Sequence, residues 1–306
     1  MEKQLENILL SSTNSSYVEK VELIQKLWRG YGSLNRVILN DQSVILKLIK
    51  FPNQPNHVRG WNTAISHQRK VRSYKVEMGW YQNFNQPIIH AKTPALIQQG
   101  ELKGKEKFLI LEDLTSSGFS PKTSIPQNQV ELCLKWLAKF HSYYLNVEPR
   151  HLWPIGTYWH LDTRPDELEI LKDDKLKRAA HLIDQKLNSS KYKTIVHGDA
   201  KIANFLFKDK EVAAVDFQYV GGGVGIKDVA YFLSSIYNED ELLQTESWSL
   251  DTYFKELANP EVEKEWRKLY PFAWCDFYRF LKGWSPGHYK INSYSEKMKN
   301  KVLEWI

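Results

Sequence analysis

The side chains best suited to chemistry in this sequence lie close together, between residues 197 and 216. Asp199 is followed five residues later by Asn204, and a second carboxylate, Asp216, comes twelve residues after that asparagine at the end of a strand-like apolar run. Phosphoryl transfer from a nucleotide requires a carboxylate that orients the attacking hydroxyl, and an amide and a carboxylate that hold Mg²⁺. The spacing therefore predicts this chemistry, with Asp199 as base and Asn204 and Asp216 as metal ligands.

The full pattern from His197 to Gln218 reads H-G-D-x-x-x-x-N and then, after an apolar stretch, D-F-Q. It resembles the catalytic loop and the metal-binding segment of kinases. Protein kinases have arginine at the position of Gly198 and glycine at the position of Gln218, so the pattern departs from theirs. It is similar to that of the small-molecule branch: the aminoglycoside phosphotransferases, the choline kinases and the ecdysteroid kinase-like phosphotransferases. The resemblance is closest to the last group and is strongest at residues 61–81 and 194–234.

This resemblance implies an α+β, protein-kinase-like bilobal fold, and an enzyme that uses ATP and Mg²⁺ to phosphorylate a hydroxyl of a small molecule. Residues 1–114 are expected to form the N-lobe, a small antiparallel β-sheet with one main helix that binds the nucleotide. Residues 115–306 are expected to form a larger, mainly helical C-lobe with the catalytic loop, the metal site and the substrate pocket. Two other hypotheses stay open: a catalytically silent kinase-fold sensor of a ligand or nucleotide, and a protein kinase.

The hydrophobic pattern predicts the elements of both lobes. After a short amphipathic helix at 2–10, we expect a five-stranded antiparallel sheet, one helix at 61–84 and a turn at 30–35, with strands at Val18–Trp28, Arg36–Leu39, Val44–Ile49, Ala95–Gln98 and Lys107–Leu111. The second half is expected to contain helices at 128–145 and 166–187, strands within 194–217, and only helices after Asp228.

Kinase-like sites need a lysine on the third strand, which holds the α- and β-phosphates and is positioned by a helix glutamate. Lys47 follows three apolar residues of the third predicted strand and is the candidate, while Lys50 is the alternative. Glu77 is the expected partner, because aromatic residues stand three and four positions after it, as in the related phosphotransferases. The competing interpretation of Glu77 is an ordinary surface glutamate.

Two further segments are expected to contact the nucleotide. Gly30, Gly32 and Ser33 belong to the predicted turn between the first two strands, where glycines let backbone N–H groups approach phosphate oxygens closely. A Gly-x-Gly pair also marks ordinary hairpins. Glu112 and Asp113 follow the fifth predicted strand as a hinge, whose main-chain N–H and C=O groups are expected to bind the adenine edge.

Three residues near the motif have expected supporting roles. Lys201 is expected to neutralise charge that develops on the transferred phosphoryl group. His197 is expected to hold the loop by side-chain hydrogen bonds and to take no part in catalysis. Asp228 resembles an aspartate that opens a helix in this superfamily, so an N-cap is the simple expectation and bracing of the catalytic loop is the alternative.

The segment after Asp216 favours a small acceptor. Asp228 comes only twelve residues later, and the Ala-Pro-Glu that ends the activation segment of protein kinases is missing, so a peptide would lose its docking platform. The aromatic residues between Trp274 and Trp284 either stack on the acceptor or, as we favour, belong to the core. Few acidic residues cluster near the C-terminus, which argues against a polycationic aminoglycoside.

The composition argues against several other classes. The 306 residues carry a formal net charge of +6 with scattered basic residues, so nucleic-acid binding is not expected. The apolar runs are shorter than the roughly 20 residues of a membrane span, and the N-terminus lacks the order of a signal peptide. The two cysteines, Cys133 and Cys275, favour the reducing cytoplasm over a disulfide scaffold. No obligate protein partner is expected.

Overall fold

The computed structural model of the protein describes residues 2–27, 30–51, 64–103 and 106–306. The chain forms two compact units, one made of Met1–Gln86 and Thr93–Ser120 and the other of Pro87–Lys92 and Pro121–Ile306. The division into functional lobes after residue 114, which the sequence predicts, stays a prediction.

The first unit contains an antiparallel sheet and the helices α1 and α2. Its elements are α1 (Lys3–Thr13), β1 (Val18–Lys26), β2 (Gly32–Leu39), β3 (Ser43–Ile49), α2 (Ala64–Asn83), β4 (Leu96–Glu101) and β5 (Lys107–Glu112). The strands lie in the order β1-β2-β3-β5-β4, which confirms the predicted five-stranded antiparallel sheet. Residues 61–63 of the predicted helix, and residues 28 and 29 after the first strand, lie outside the described residues.

Strand β2 begins earlier than expected, at Gly32 instead of Arg36. Ser33 already pairs with residues of both neighbouring strands, so most of the predicted turn at 30–35 belongs to the sheet. Gly32 is needed for close packing, because a Cβ atom there would lie 1.9 Å from the carbonyl oxygen of Leu48. The bounds predicted for the turn were therefore wrong, since Gly32 lies in the strand and marks a close contact with β3.

The N-terminal helix predicted from the sequence is confirmed, and its apolar face packs on the sheet. Leu5 and Leu9 of α1 are buried in one cluster with Val44 of β3 and Ile110 of β5. Burying a leucine side chain contributes about 1.5–3 kcal/mol to the stability of a fold. This packing helps to fix β3, the strand on which Lys47 lies.

The second unit is mainly helical. After β6 (Ser120–Pro121), where the first unit ends, it contains α3 (Gln127–Tyr143), α4 (Pro165–Glu169), α5 (Asp174–Asn188), β7 (Thr194–Val196), β8 (Phe205–Lys208), β9 (Glu211–Ala214), β10 (Gly221–Gly223), α6 (Ile226–Ile236), α7 (Glu239–Leu257), α8 (Pro260–Trp284) and α9 (Ser293–Trp305). The single helix predicted at 166–187 was wrong. Asp173 starts a new helix, because its carboxylate accepts a hydrogen bond from the N–H of Leu176 (3.0 Å) and caps α5.

The aromatic residues of α8 lie mostly in the interior, as expected. Phe277 and Phe280 form a buried cluster with Trp159 and Tyr231, and Trp274 is also buried. None of the helices that the structure describes is long and apolar enough to cross a membrane.

Candidate active site

The predicted catalytic residues lie in the second unit, on the loop between β7 and β8. This loop starts after Val196, passes through Asp199 and ends in a 3-10 turn at Ile202–Asn204. Gly198 has a φ of +79°, and a Cβ atom on it would lie 2.0 Å from the carbonyl oxygen of Tyr219. Only glycine therefore allows the loop to approach this carbonyl so closely.

Asp228 holds the backbone of this loop from helix α6. Its carboxylate accepts hydrogen bonds from the N–H groups of His197 (2.6 Å) and Gly198 (3.0 Å), and it lies 3.1 Å from Nε2 of His141. The side chain is fully buried, and Asp228 lies inside the helix that begins at Ile226. The expected N-cap was therefore wrong, because the carboxylate oxygens bind the loop. The geometry agrees with the alternative, a brace for the catalytic loop.

His197 connects the loop to the segment that carries Asp216. Its Nδ1 accepts a hydrogen bond from the N–H of Asp199 (3.3 Å), and its Nε2 lies 3.0 Å from the carbonyl oxygen of Val215. With Nδ1 as acceptor, the ring proton is on Nε2, which donates to the carbonyl. Both ring nitrogens thus bind backbone groups, in agreement with a positioning role.

The carboxylate of Asp199 has one oxygen that is hydrogen-bonded and one that is not. Oδ2 accepts hydrogen bonds from Nζ of Lys201 (3.0 Å) and Nδ2 of Asn204 (3.1 Å). Oδ1 is buried and has no hydrogen-bond partner among the residues that the structure describes. Because an unsatisfied buried acceptor is costly, this oxygen is suited to accept a hydrogen bond from a bound ligand.

The protonation of this carboxylate depends on opposing effects. Burial raises the pKa of Asp199 above its ordinary value; the ammonium of Lys201 acts against the rise, and the charge of Asp216 adds to it. Burial by itself would lower the pKa of Lys201, but the carboxylates of Asp199 and Asp216 raise it above its ordinary value. Lys201 therefore stays protonated beside Asp199 and offers a positive charge to an anionic group.

The β8–β9 hairpin brings Asn204 and Asp216 together. The two strands pair in antiparallel register, and beyond their ends the N–H of Val215 donates a hydrogen bond to the carbonyl oxygen of Asn204 (2.9 Å). Asp216 follows directly, which explains the spacing of twelve residues. Its φ of +68° is uncommon for a residue with a side chain, and its Oδ1 accepts a hydrogen bond from Nε2 of Gln218 (2.7 Å).

In the first unit, the predicted lysine and glutamate form an ion pair. Nζ of Lys47 on β3 lies 2.7 Å from each carboxylate oxygen of Glu77 on α2, and the two side chains are only 6% and 2% exposed. The alternative lysine, Lys50, has a half-exposed side chain and pairs with Glu106 (2.8 Å). The geometry thus favours Lys47, and it excludes the surface interpretation of Glu77.

The predicted phosphate-binding turn has a different form. Gly30 has a φ of +76° and lies in the loop before β2, whereas Gly32 and Ser33 are inside that strand. The hydroxyl of Ser33 accepts a hydrogen bond from Nδ2 of Asn35 (2.8 Å). Of the three predicted residues, Gly30 lies on the loop, and residues 28 and 29 beside it are outside the described part of the chain.

The side chains of the predicted hinge support the fold of the first unit. The carboxylate of Asp113 accepts hydrogen bonds from Nε of Arg36 (2.7 Å) and Oγ of Ser43 (2.8 Å). Burial by itself would raise the pKa of Asp113, but its hydrogen-bond partners hold it below the ordinary value. Oε2 of Glu112 accepts a hydrogen bond from the N–H of Ala95 (3.0 Å). Nucleotide contacts of this segment are therefore expected from the main chain.

Two residues near Asp199, Tyr231 and Lys290, belong to none of the motifs found in the sequence. Burial, together with the charge of Asp199, raises the pKa of Tyr231 on α6 well above its ordinary value. Lys290, in the segment before α9, is also subject to the charge of Asp199. Both are distant from the catalytic loop in the sequence, and only the packing of the helices reveals their proximity to it.

Residues 156–264, which include the catalytic loop and the β8–β9 hairpin, match the model of the ecdysteroid kinase-like family. The resemblance to this family is confirmed over this part of the chain. The ecdysteroid kinase-like segment holds Asp199, Asn204 and Asp216, whereas Lys47 and Glu77 precede it. A search of curated protein sequences finds no match.

Solved structures similar to this chain include small-molecule kinases. A microcompartment-associated aminopropanol kinase has 15% identity and a TM-score of 0.57, over 98% of this chain and 93% of its own. A thermostable mutant of the aminoglycoside phosphotransferase APH(4)-Ia, in ternary complex with ADP and hygromycin B, has 10% identity and a TM-score of 0.55, over 99% and 98%. A different mutant of the same phosphotransferase, in complex with AMP-PNP and hygromycin B, has 11% identity and the same TM-score and coverage. At such identities the likeness shows the fold, and the expected protein-kinase-like fold is confirmed.

Proposed function

We propose that this protein is an ATP- and Mg²⁺-dependent phosphotransferase that transfers the γ-phosphate to the hydroxyl group of a small molecule. The observation that carries the proposal is the geometry of Asp199, a buried carboxylate with Oδ2 held by Lys201 and Asn204. Its Oδ1 has no partner among the described residues. A carboxylate in this state is suited to orient a hydroxyl and to accept its proton.

In the proposed reaction, the acceptor hydroxyl donates a hydrogen bond to Oδ1 of Asp199. The hydroxyl oxygen forms a bond to the γ-phosphorus, the bond from that phosphorus to the bridging oxygen breaks, and ADP leaves with the electron pair. The hydroxyl proton passes to Asp199. Lys201 and Asn204 keep the carboxylate in one orientation, and holding reactants in place lowers a barrier by up to about 7–11 kcal/mol in favourable cases.

Asn204 and Asp216 are the proposed ligands of Mg²⁺. Their oxygen atoms fit this ion, which in nucleotide enzymes takes one or two protein carboxylates together with phosphate oxygens and water. The charge of Asp216 adds to the raised pKa of Asp199, a repulsion that a nearby cation would relieve. When bound, the ion supplies positive charge that neutralises the phosphate oxygens.

Lys47 is the proposed ligand of the α- and β-phosphates, with Glu77 as the residue that positions it. The buried ion pair between them supports this role. The backbone at Gly30 and the main chain of the Glu112–Asp113 segment are the other proposed nucleotide contacts. Use of a nucleotide is also supported by the APH(4)-Ia complexes with ADP and AMP-PNP, which share the fold.

A small-molecule alcohol is the proposed acceptor. The chain between Asp216 and Asp228 is short and ordered into elements: β10 pairs with β7, and α6 begins at Ile226. This segment therefore lacks the length of a peptide-docking platform. The aminopropanol kinase and the hygromycin B complexes illustrate small acceptors on the same fold.

The reducing cytoplasm is the proposed compartment. Cys133 and Cys275 are both free and buried. Burial raises the pKa of both thiols, so neither is activated for disulfide exchange at neutral pH.

The decisive test compares the wild type with Asp199→Asn in a screen of small-molecule alcohols with coupled detection of ADP. Asparagine keeps the shape of the side chain but cannot accept the proton, so ADP release is expected to fall by about 100-fold or more. Binding of Mg·ATP, measured by calorimetry, is expected to remain. Asp209→Asn is the matched control, because Asp209 is exposed at the tip of the β8–β9 hairpin; its activity should equal that of the wild type.

Equal turnover in the wild type and Asp199→Asn would contradict the role of Asp199 as base. Nucleotide binding without ADP release for any alcohol would support the alternative of a silent sensor. Transfer of a radiolabelled phosphate to a generic panel of proteins would instead support a protein kinase.

A further inference from the structure

The second unit contains a cavity of about 520 Å³ beside the end of α6. Its walls come from α6, the start of α7, α8 and the residues before α9, and they include Ser234, Ser235, Asn238, Trp274, Tyr289 and Lys290. Sites for small molecules commonly have volumes of about 300–1,000 Å³ and combine apolar walls with a few polar groups. The cavity therefore has the size of a small-molecule site, and its lining mixes polar and apolar groups.

Lys290 places a positive charge in the wall of this cavity. The residue is only 8% exposed, and its Nζ donates a hydrogen bond to Oγ of Ser234 (3.2 Å). The ammonium also lies 4.8 Å from the ring centre of Tyr231 and 5.5 Å from that of Phe277. Within the described part of the chain, no carboxylate oxygen lies within 4.0 Å of it. Burying an ammonium without a carboxylate in contact is costly, and the charge of Asp199 offsets this cost only in part, since the pKa of Lys290 stays below its ordinary value. An anionic ligand would therefore stabilise this arrangement.

The acidic residues of the cavity wall do not neutralise Lys290. Oε2 of Glu239 accepts hydrogen bonds from the N–H (2.9 Å) and the hydroxyl (2.8 Å) of Ser293. Oε2 of Glu241 accepts a hydrogen bond from the N–H of Asn238 (2.8 Å), within the capping box of α7. Both carboxylates therefore accept hydrogen bonds at the N-termini of helices, Glu239 at α9 and Glu241 at α7. The charge of Lys290 remains available to a ligand.

The cavity is coupled to the catalytic loop. Oγ of Ser235, in the cavity wall, accepts a hydrogen bond from the N–H of Ile202 in that loop (3.0 Å). Burial lowers the pKa of Lys290 to about 8, the charge of Asp199 opposes this effect, and the charge of Lys201 adds to it. Lys290 is therefore close enough to Asp199 for the two charges to attract each other.

We propose that this cavity binds the acceptor, and that Lys290 selects hydroxyl compounds that also carry a carboxylate. The inference deepens the proposed function and rests on it, because the bound hydroxyl is the group to be phosphorylated. The ammonium pairs with the carboxylate of the acceptor, while the aromatic wall formed by Trp274 and Tyr289 contacts its apolar part. The same ammonium repels cationic alcohols.

The test uses three probes of similar size that differ in charge: 4-(hydroxymethyl)benzoate, benzyl alcohol and 4-(hydroxymethyl)benzyltrimethylammonium. Calorimetry on the full chain without nucleotide measures their binding. The benzoate is expected to bind about tenfold or more tightly than the neutral alcohol, because tenfold corresponds to the weakest coupling measured for close charge pairs across an interface, and the cation is expected to bind most weakly. Equal or undetectable binding of all three probes would overturn the inference.

Variants of Lys290 test whether the charge of this residue causes the preference for the benzoate over the neutral alcohol. Lys290→Met is expected to reduce the affinity for the benzoate to that for the neutral alcohol. Lys290→Gln should do the same while keeping a hydrogen-bond donor for Ser234. Lys268→Met, at an exposed position on α8, removes the same charge elsewhere and should leave the preference unchanged. If the variants of Lys290 retain the preference, or lose affinity for ATP instead, the inference is wrong.

Failure of the proposed function gives a different pattern of results. Binding of the benzoate that depends on Lys290, without ADP release for any alcohol, would contradict phosphoryl transfer and leave the anion site in place. ADP release that depends on Asp199, but with a cationic alcohol as the best substrate, would support the function and contradict the role of Lys290.

Discussion

Asp228 and His197 are joined by a hydrogen bond of 2.6 Å, which runs from the backbone N–H of His197 to a carboxylate oxygen of Asp228. The same carboxylate binds the N–H of Gly198 and contacts His141, and all of these groups are buried. Hydrogen bonds to an ionised acceptor are stronger than neutral ones. The position of Asp199, the next residue in the loop, therefore depends on a side chain of helix α6.

We expect Asp228→Asn to lower kcat by about 100-fold, because a misplaced catalytic group has effects of this size. The amide has one acceptor oxygen where the carboxylate has two, so one buried N–H loses its partner, at a cost of about 1–3 kcal/mol in the free energy of unfolding. ADP-release kinetics and urea unfolding measure the two effects. The KM for ATP should not change, and Asp240→Asn, at an exposed site on α7, should match the wild type. Full activity of Asp228→Asn would show that the loop does not depend on this brace.

The ion pair of Lys47 and Glu77 predicts a sharp difference between two neighbouring lysines. Lys47→Met leaves the carboxylate of Glu77 buried without this ammonium, and loss of one partner of a buried pair costs about 3–5 kcal/mol of stability. It should also raise the KM for ATP strongly. Lys50→Met removes a half-exposed lysine that pairs with Glu106. The stability and the KM for ATP of this variant should therefore stay close to the wild-type values. A larger effect of Lys50→Met on ATP binding would identify Lys50 as the phosphate ligand.

The proposed metal ligand Asp216 is tested by calorimetry of ATP binding with and without Mg²⁺. In Asp216→Ala, Mg²⁺ should no longer strengthen ATP binding, because the carboxylate that would hold the ion is missing. Asp209→Ala carries the same change on the same hairpin, at its exposed tip, and should keep the effect of Mg²⁺. Unchanged Mg·ATP affinity in Asp216→Ala would exclude Asp216 as a ligand.

Lys290 predicts a pH dependence of stability. Burial lowers its pKa from the ordinary 10.5 to about 8, so between these values the unfolded chain binds more protons at this residue than the folded protein does. Stability therefore rises with pH in this window. From pH 8 to 9.5, the free energy of unfolding of the wild type should gain about 1.5 kcal/mol relative to Lys290→Met.

Urea unfolding at the two pH values measures this difference. The free energy of unfolding of the wild type should show no such gain relative to Lys268→Met. The exposed Lys268 has the same surroundings in the folded and the unfolded state. A constant difference between the wild type and Lys290→Met would mean that Lys290 titrates as it does in the unfolded chain.

Elements with a strong local pattern could be predicted from the sequence. The five strands of the first unit follow from alternating and apolar runs, and the structure differs mainly at their ends. The start of β2 at Gly32 was missed, because its glycine is needed for contact with Leu48, a residue of another strand. The break between α4 and α5 was missed because both helices continue one apolar pattern, and the cap at Asp173 interrupts it.

The sequence by itself determined the motif of Asp199, Asn204 and Asp216, because a short loop and one hairpin join these residues and local backbone geometry decides their spacing. Tertiary structure alone decided that Asp228 braces the loop and that Lys290 lies in the wall of a cavity that is hydrogen-bonded to the catalytic loop. These relationships join residues that are distant in the chain, and burial then determines which hydrogen bonds and charges remain available. Such effects depend on how the helices pack, and no local pattern records them.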